Sequence, residues 1–395
     1  MKLASRLERI DPFWVMEMAK SAREIAAGPG CDPAHGGEPM IYLNIGEPDF
    51  GAPPAALVAA RACMDAGRTP YTQATGLPAL RAAISRWYAQ RHGLDVAPQR
   101  IVVTAGASAG LQLACLALFE RGDEVLMPDP SYPCNRHFVA AADAHARLLP
   151  CGPAQRFQPD AQMVAAAWGP TTRGVLLASP SNPTGTSIDP SQLRAIVEAV
   201  RARGGVTIVD EIYLGLSYDA RYGQSALALG EDVISVNSFS KYFSMTGWRL
   251  GWLVLPSWLV SPVERLAQNL YICASTLAQE AALACFSPES IAECERRRGE
   301  LQRRRDVAVA GLDAIGLQVP VLPDGAFYAW ANCSAHSADS WDFCHRMLER
   351  AHVALTPGRD FGPAGAANHL RLSFASAMDQ IQAALQRLRR ELDRA

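Results

Sequence analysis

Between residues 101 and 255, short apolar runs alternate with stretches of helical periodicity. IVVT (101–104), EVLMP (124–128), GVLLASP (174–180), TIVDE (207–211), VISVNSF (233–239) and RLGWLVL (249–255) predict strands. Several are apolar throughout, as strands covered on both faces must be. Gly110–Phe119 and Pro190–Arg203 predict helices between them. Such alternation predicts an α/β chain with a mainly parallel sheet wrapped by helices. After about residue 256 the pattern changes. Pro288–Ile315, rich in Glu and Arg, predicts one long exposed helix. Met378, Ile381, Leu385, Leu388 and Leu392 fall on one stripe of a final helix, which must pack on a core. The Gly/Pro-rich stretch 28–39 predicts a surface loop. Neither internal repeats nor low-complexity linkers interrupt the chain.

Composition narrows the function classes. The formal net charge of −2 leaves no broad basic surface for nucleic acid or an anionic membrane. The run ERRRGELQRRR interleaves Glu with Arg at helical spacing, which predicts a solvated face. The opening MKLASRLERIDPFW lacks a long apolar centre and is not expected to be a signal peptide. Residues 101–119 carry no charge, but their TAGASAG centre is poorly apolar. A strand, a tight loop and a helix are expected there, not a membrane span. None of the ten cysteines forms a C-x-x-C pair, and most lie in apolar stretches. Reduced, buried thiols in a cytoplasmic protein are expected. The eight histidines form no ligand-spaced pair, so no metal site is expected.

Lysine occurs only at Lys2, Lys20 and Lys241, against abundant arginine. A guanidinium stays protonated and cannot act as an amine nucleophile. A lone interior lysine therefore points to a task that needs a primary amine. Around it, SFSKYFSMTGWRLGW gathers Ser238, Ser240, Lys241 and Arg249 where an apolar strand ends and the next begins. Two hydroxyls, an amine and a guanidinium suit an aldehyde that carries a phosphate: the amine forms an imine, while Ser and Arg hold the phosphate.

S-x-S-K followed by G-W-R-x-G resembles the lysine signature of the fold-type I pyridoxal-phosphate enzymes, and within them the class I/II aminotransferases. Further motifs recur in the family's order along nearly the whole chain. The resemblance implies a seven-stranded large domain at 46–280 and a small domain built from 1–45 together with 281–395. It implies Lys241 as the residue joined to pyridoxal 5'-phosphate, and Arg249 with Ser238 and Ser240 at the phosphate. TAGASAG (104–110) implies a loop at a helix N-terminus in which Ala107 and Ser108 cup that phosphate. PDPSYP implies that Tyr132 lays its ring on the cofactor. In SNPTG and VDEIY, Asn182 and Tyr213 would meet the cofactor's phenolic oxygen, and Asp210 its pyridine nitrogen. A carboxylate beside that cation should stay ionised. GEPDF implies a backbone approach of Gly46 to the substrate, and LRLSFA a bidentate grip of Arg371 on the α-carboxylate. Tyr71 in PYTQATG would reach the phosphate of a neighbouring subunit, which implies a homodimer with shared active sites.

The implied activity is transfer of an amino group between an L-amino acid and a 2-oxo acid. A β-lyase on the same fold is the alternative. G-x-S-x-G at 106–110 also matches the nucleophile elbow of α/β-hydrolases, with Ser108, Asp210 and His369 in chain order. That reading leaves Lys241, Arg249, Asn182 and Arg371 without a role. Some aspartate-type relatives carry a Lys in the 106–109 loop; this chain has Ser108, which speaks against a strict aspartate preference. No second cation for an acidic side chain is evident. Phe13, Trp14, Tyr271, Phe327 and Phe361 are candidates to line an apolar side-chain pocket.

Overall fold

The computed structural model describes residues 3–394. Among them, twelve strands form three sheets. They are β1 Ile41–Tyr42, β2 Ile101–Thr104, β3 Glu124–Asp129, β4 His145–Pro150, β5 Thr172–Ala178, β6 Val206–Asp210, β7 Ile234–Ser238, β8 Gly251–Val254, β9 Tyr328–Asn332, β10 Val353–Ala354, β11 Thr356–Pro357 and β12 His369–Ser373.

The largest sheet has the order β2-β8-β7-β6-β5-β3-β4. Only β8 runs against its neighbours, so the sheet is mainly parallel, as expected. The apolar runs are explained by two buried faces. Leu176, Ile208 and Ile234 pack into one core cluster, while Val175, Leu177, Val209 and Val233 pack into another. Strand side chains alternate sides, so a strand between two helical layers carries apolar residues on both faces. β4, at one edge, departs from this pattern, whereas β2 at the other edge is buried throughout. His145 and Arg147 are not buried, and Leu149 alone is fully covered.

The reversed strand brings the chemistry together. Gly251 opens β8 and pairs with Thr104 at the end of β2 and Ser238 at the end of β7. Both neighbouring strand ends therefore meet the turn that carries Lys241 and Arg249. A Cβ at Gly251 would lie 2.7 Å from the Ala107 nitrogen, so only glycine permits this approach. The predicted strand 249–255 starts two residues late. Arg249 sits before it with φ 51°, a left-handed conformation uncommon outside glycine.

Of two small sheets, the first joins the two ends of the chain. β1 pairs in parallel with β10, and β12 pairs antiparallel with β11 and β9. The long helix Pro288–Asp313 forms where expected and is exposed along one face, at Arg296 and Arg303, but its other face is buried. Arg297, Arg304 and Arg305 are buried along it. Their guanidiniums donate to the carbonyls of Gly51, Ala375 and Pro323, so part of this polar sequence is not solvated. In the final helix, Met378–Leu392, Ile381 and Leu388 are buried together with Ala384, while Met378, Leu385 and Leu392 flank them. The stretch 28–39 is a largely exposed loop with two short helical turns. Residues 101–119 are β2, a turn and the helix Ala107–Leu118, and no described helix is long and apolar enough to cross a membrane.

Candidate active site

A cavity of about 430 Å³ opens at the carboxyl end of the parallel strands. This is where open α/β sheets place ligands, because loops from neighbouring strands diverge there. Lys241, Asp210, Tyr213, Asn182, Tyr132, Ala107, Ser108, Ser240, Arg249, Gly46 and Arg371 all line it. Residues from segments spread along the whole chain thus converge on one space.

Local structure explains each position. Gly106 has φ 87°, and the helix Ala107–Leu118 starts directly after it, leaving its first amides without helical partners. A Cβ at Gly106 would stand 2.7 Å from the Arg249 guanidinium, which therefore lies against that helix start. Ser240 lies beside them, its amide bound to the Ser238 hydroxyl at 3.0 Å. Amides, hydroxyl and guanidinium make an anion cradle with helix-dipole support.

Asp210 ends β6, and the Ile212 amide donates to its Oδ1 at 3.0 Å. Burial first, opposed by that amide, pushes its carboxyl up to about 7. The expected ionised carboxylate thus needs a cation that the protein alone does not supply: Lys241 opposes the shift only weakly. Burial also depresses the Lys241 amine to about 8, reinforced by the cationic Arg371. Its Nζ donates to the Gly46 carbonyl at 2.5 Å. A lysine near 8 offers a usable free-amine fraction close to neutral pH.

On the opposite wall, Arg371 is buried on β12. Its Nη1 donates to Asn182 Oδ1 at 2.8 Å and its Nη2 to the Asn44 carbonyl at 2.7 Å. Its Nε and both polar side-chain atoms of Asn44 are buried without a partner among the described residues. Buried polar atoms left free at a cavity wall mark where a ligand's polar groups belong. Tyr328 joins the site without any signal in the sequence. It hydrogen-bonds Tyr213 at 2.8 Å, carries the Arg371 guanidinium 4.4 Å over its ring, and would meet a Cβ at Gly46 at 2.5 Å. Within FYAWAN nothing separates Tyr328 from its aromatic neighbours until β9 is placed.

The helix Trp14–Ala26 supplies the remaining wall through Val15, Met16, Ala19 and Arg23, with Phe13 just before it. Phe13 meets the Tyr132 ring edge-on at 6.3 Å. Of the five aromatic candidates only Phe13 lines the cavity. Trp14 packs on Trp341, Phe361 on Trp330 and Phe327 on Tyr328, while Tyr271 packs against the core cluster of the large sheet. A second cation does stand on the lining, at Arg23. Nothing local marks it, because its helix is remote in sequence from the other site residues.

Two expected residues stand outside the cavity. Ser238 sits behind Ser240, its hydroxyl donating to the Leu250 carbonyl at 3.0 Å, so it supports the cradle without lining it. Tyr71 is 79% exposed. The hydrolase arrangement does not assemble: His369 stacks on Trp330 at 5.3 Å and lies off the cavity lining that holds Ser108 and Asp210. Among the described residues no His/Cys/Asp/Glu cluster could hold a metal.

The lining suits a group with a carbonyl, a phosphate and a basic ring nitrogen. Lys241 fits the first, the Ala107 helix start with Arg249 the second, and the under-charged Asp210 the third.

Residues 38–388 match the family described as aminotransferase class I and II. The chain is 40% identical over 380 residues to the valine–pyruvate aminotransferase of Mycobacterium tuberculosis, covering 96% of each. It is 33% identical to an aspartate aminotransferase of Pyrococcus horikoshii, over 90% of this chain and 91% of that one. Among solved structures, an aminotransferase from Mycobacterium tuberculosis superposes with TM-score 0.94 at 39% identity, covering 100% of both chains. The aspartate aminotransferase of Thermus thermophilus gives TM-score 0.92 at 31% identity, covering 99% and 100%.

Proposed function

Because the chain belongs to the class I and II aminotransferases, pyridoxal-phosphate enzymes that move an amino group between an amino acid and a 2-oxo acid, we propose that Lys241 holds the cofactor and carries the proton. The observation that supports this most is the enclosed amine, depressed to about 8, in one cavity with Asp210 and Arg371. When bound, pyridoxal phosphate supplies an electron sink for charge that develops at the substrate Cα.

The chain's own residues do the rest. Ala107, Ser108, Ser240 and Arg249 would hold its phosphate, with Ser238 fixing Ser240. Asp210 would pair with a protonated ring nitrogen, a cation that would return its carboxyl to the charged form. Asn182 and Tyr213 would bind the phenolic oxygen, and Tyr132 would cover the ring. Arg371 grips the substrate α-carboxylate, with Gly46 and Asn182 beside it. Lys241, the one amine among the described lining residues, would serve as the base that moves the substrate Cα proton.

We propose neutral aliphatic amino acids as donors. Support comes from the apolar wall of Phe13, Val15, Met16 and Ala19 and from the valine–pyruvate relative. Arg23 on the same lining supports a second reading, in which a dicarboxylic partner such as 2-oxoglutarate is the acceptor. Residues 46–280 are proposed as the large domain and 1–45 with 281–395 as the small one, supported by the β1–β10 pairing of the two outer segments. A homodimer in which Tyr71 reaches the second subunit's phosphate is supported by exposed Tyr71, Trp258, Leu270 and Ile272. Ten free cysteines, eight of them buried, support a reducing cytoplasmic setting.

The test is a screen of single L-amino acids for bleaching of the bound cofactor's colour, with pyruvate or 2-oxoglutarate as acceptor. Valine with pyruvate should turn over, and Lys241→Arg should lower the rate by about three orders of magnitude or more. Retained turnover in that variant overturns the role of Lys241. Release of pyruvate and ammonia from cysteine would indicate the lyase instead.

A further inference from the structure

The helix Trp14–Ala26 forms one wall of the cavity but begins without a cap of its own. Phe13, at its N-cap position, has no side-chain oxygen, and no local side chain bonds the first amides. An uncapped start normally frays, since the first amides of a helix have no intrahelical acceptor. Here the acceptor comes from 345 residues away. Asp360 Oδ1 accepts from the Trp14 amide at 2.9 Å, and Oδ2 from the Val15 amide at 2.6 Å. Both oxygens of one buried carboxylate sit on the positive end of the helix dipole.

Asp360 is itself fixed to the rest of the site. Its carbonyl accepts from Arg136 Nη1 at 3.0 Å, within the helix Pro133–Ala141 that follows Tyr132. The next residue, Phe361, accepts the Ser131 amide at 2.8 Å and stacks 5.0 Å from the Arg371 guanidinium. One short segment therefore ties the substrate-carboxylate arginine, the aromatic loop at Tyr132 and the N-terminal helix into one frame. Asp360 does not line the cavity, while Phe13, Val15 and Met16, next to its two bonds, do.

We propose that Asp360 is a positioning residue for substrate selection: by capping the helix Trp14–Ala26 it sets the wall against which the amino-acid side chain is measured. The inference rests on the reading of this cavity as the amino-acid site. Large side chains reach the wall and should depend on it; alanine ends short of it and should not.

The experiment compares the wild-type chain, Asp360→Ala and Asp360→Asn, each as the full chain loaded with pyridoxal phosphate. Hydrogen exchange is followed over residues 14–26, and single-turnover rates are measured with L-valine and L-alanine. In Asp360→Ala, exchange across the helix should accelerate about tenfold or more, with the cofactor's absorbance maximum preserved. The valine-to-alanine ratio of the second-order single-turnover constants should fall about tenfold, through a higher half-saturating concentration of valine. Asp360→Asn retains one acceptor oxygen and should lie between. Unchanged exchange over 14–26, or an equal loss for valine and alanine, overturns the proposal. If the wild type reacts with neither amino acid, the reading of the cavity fails, and the exchange result still decides whether Asp360 holds the helix.

Discussion

Lys241 is legible in the amino-acid sequence because arginine takes nearly every other cationic position. Asp210 is legible as a residue but not as a charge. Its carboxyl is pushed up to about 7 chiefly by burial, and the cation expected to hold it ionised is not part of the chain. That has a measurable consequence for the cofactor-free protein. A folded-state value of about 7, above the ordinary aspartate value of 3.8, means that the native chain binds this proton more tightly than the unfolded chain. Stability from this group is therefore whole below about 4 and is lost as pH rises through about 7. Cofactor-free Asp210→Asn should exceed cofactor-free wild type in stability at pH 8 by on the order of 2–4 kcal/mol, the difference closing toward pH 4. Urea unfolding at the two pH values measures it; equal stabilities at pH 8 would contradict the account. Tyr328 and Asp360 are not legible at all. Neither carries a local signal, and both owe their importance to partners more than 100 residues away.

At the scale of elements, strands are easier to read than the polar helix. Strands covered on both faces announce themselves by continuous apolar sequence, whereas the partly exposed β4 does not. The helix Pro288–Asp313 misleads because arginine can bury its stem and still satisfy its head group. Arg304 donates to Asp49 Oδ1 at 2.8 Å and to the Ala375 carbonyl at 2.9 Å, and the Phe50 ring lies between Arg297 and Arg304. These contacts anchor the loop that carries Gly46, which accepts from Lys241. Arg304→Met should keep the packing of the stem and lose both bonds. The expected cost is about 1–3 kcal/mol of stability, with an increase of the amino-acid KM that exceeds any loss in kcat. Unfolding curves and steady-state kinetics check it; a pure loss of kcat would count against the anchoring role.

For the whole molecule, the decisive feature is convergence. Arg371 sits on β12, the Lys241 amine follows β7, and one cavity wall comes from the helix Trp14–Ala26. The pairing of β1 with β10 and the reversed β8 bring them within one cavity. At the same scale lies the exposed surface around Tyr71, where Thr276 Oγ1 donates to the Pro70 carbonyl and so joins the Tyr71 loop to the segment after Ile272. A homodimer predicts twice 42.5 kDa by light scattering at micromolar concentration. It also predicts that Tyr71→Ala loses pyridoxal phosphate more readily on dilution. A monomer that retains cofactor with either residue would remove the second subunit from the site.

By itself the chain determined its class of fold, because two-sided burial forces an apolar pattern that sequence records directly. It also marked out Lys241, Ser240 and Arg249 as one group, because an amine, a hydroxyl and a guanidinium close together in the chain are local sequence. Tertiary structure alone decided which aromatics line the cavity, where a second cation stands, and what caps the helix Trp14–Ala26. Those properties depend on distances between segments hundreds of residues apart, and no local pattern encodes such a distance.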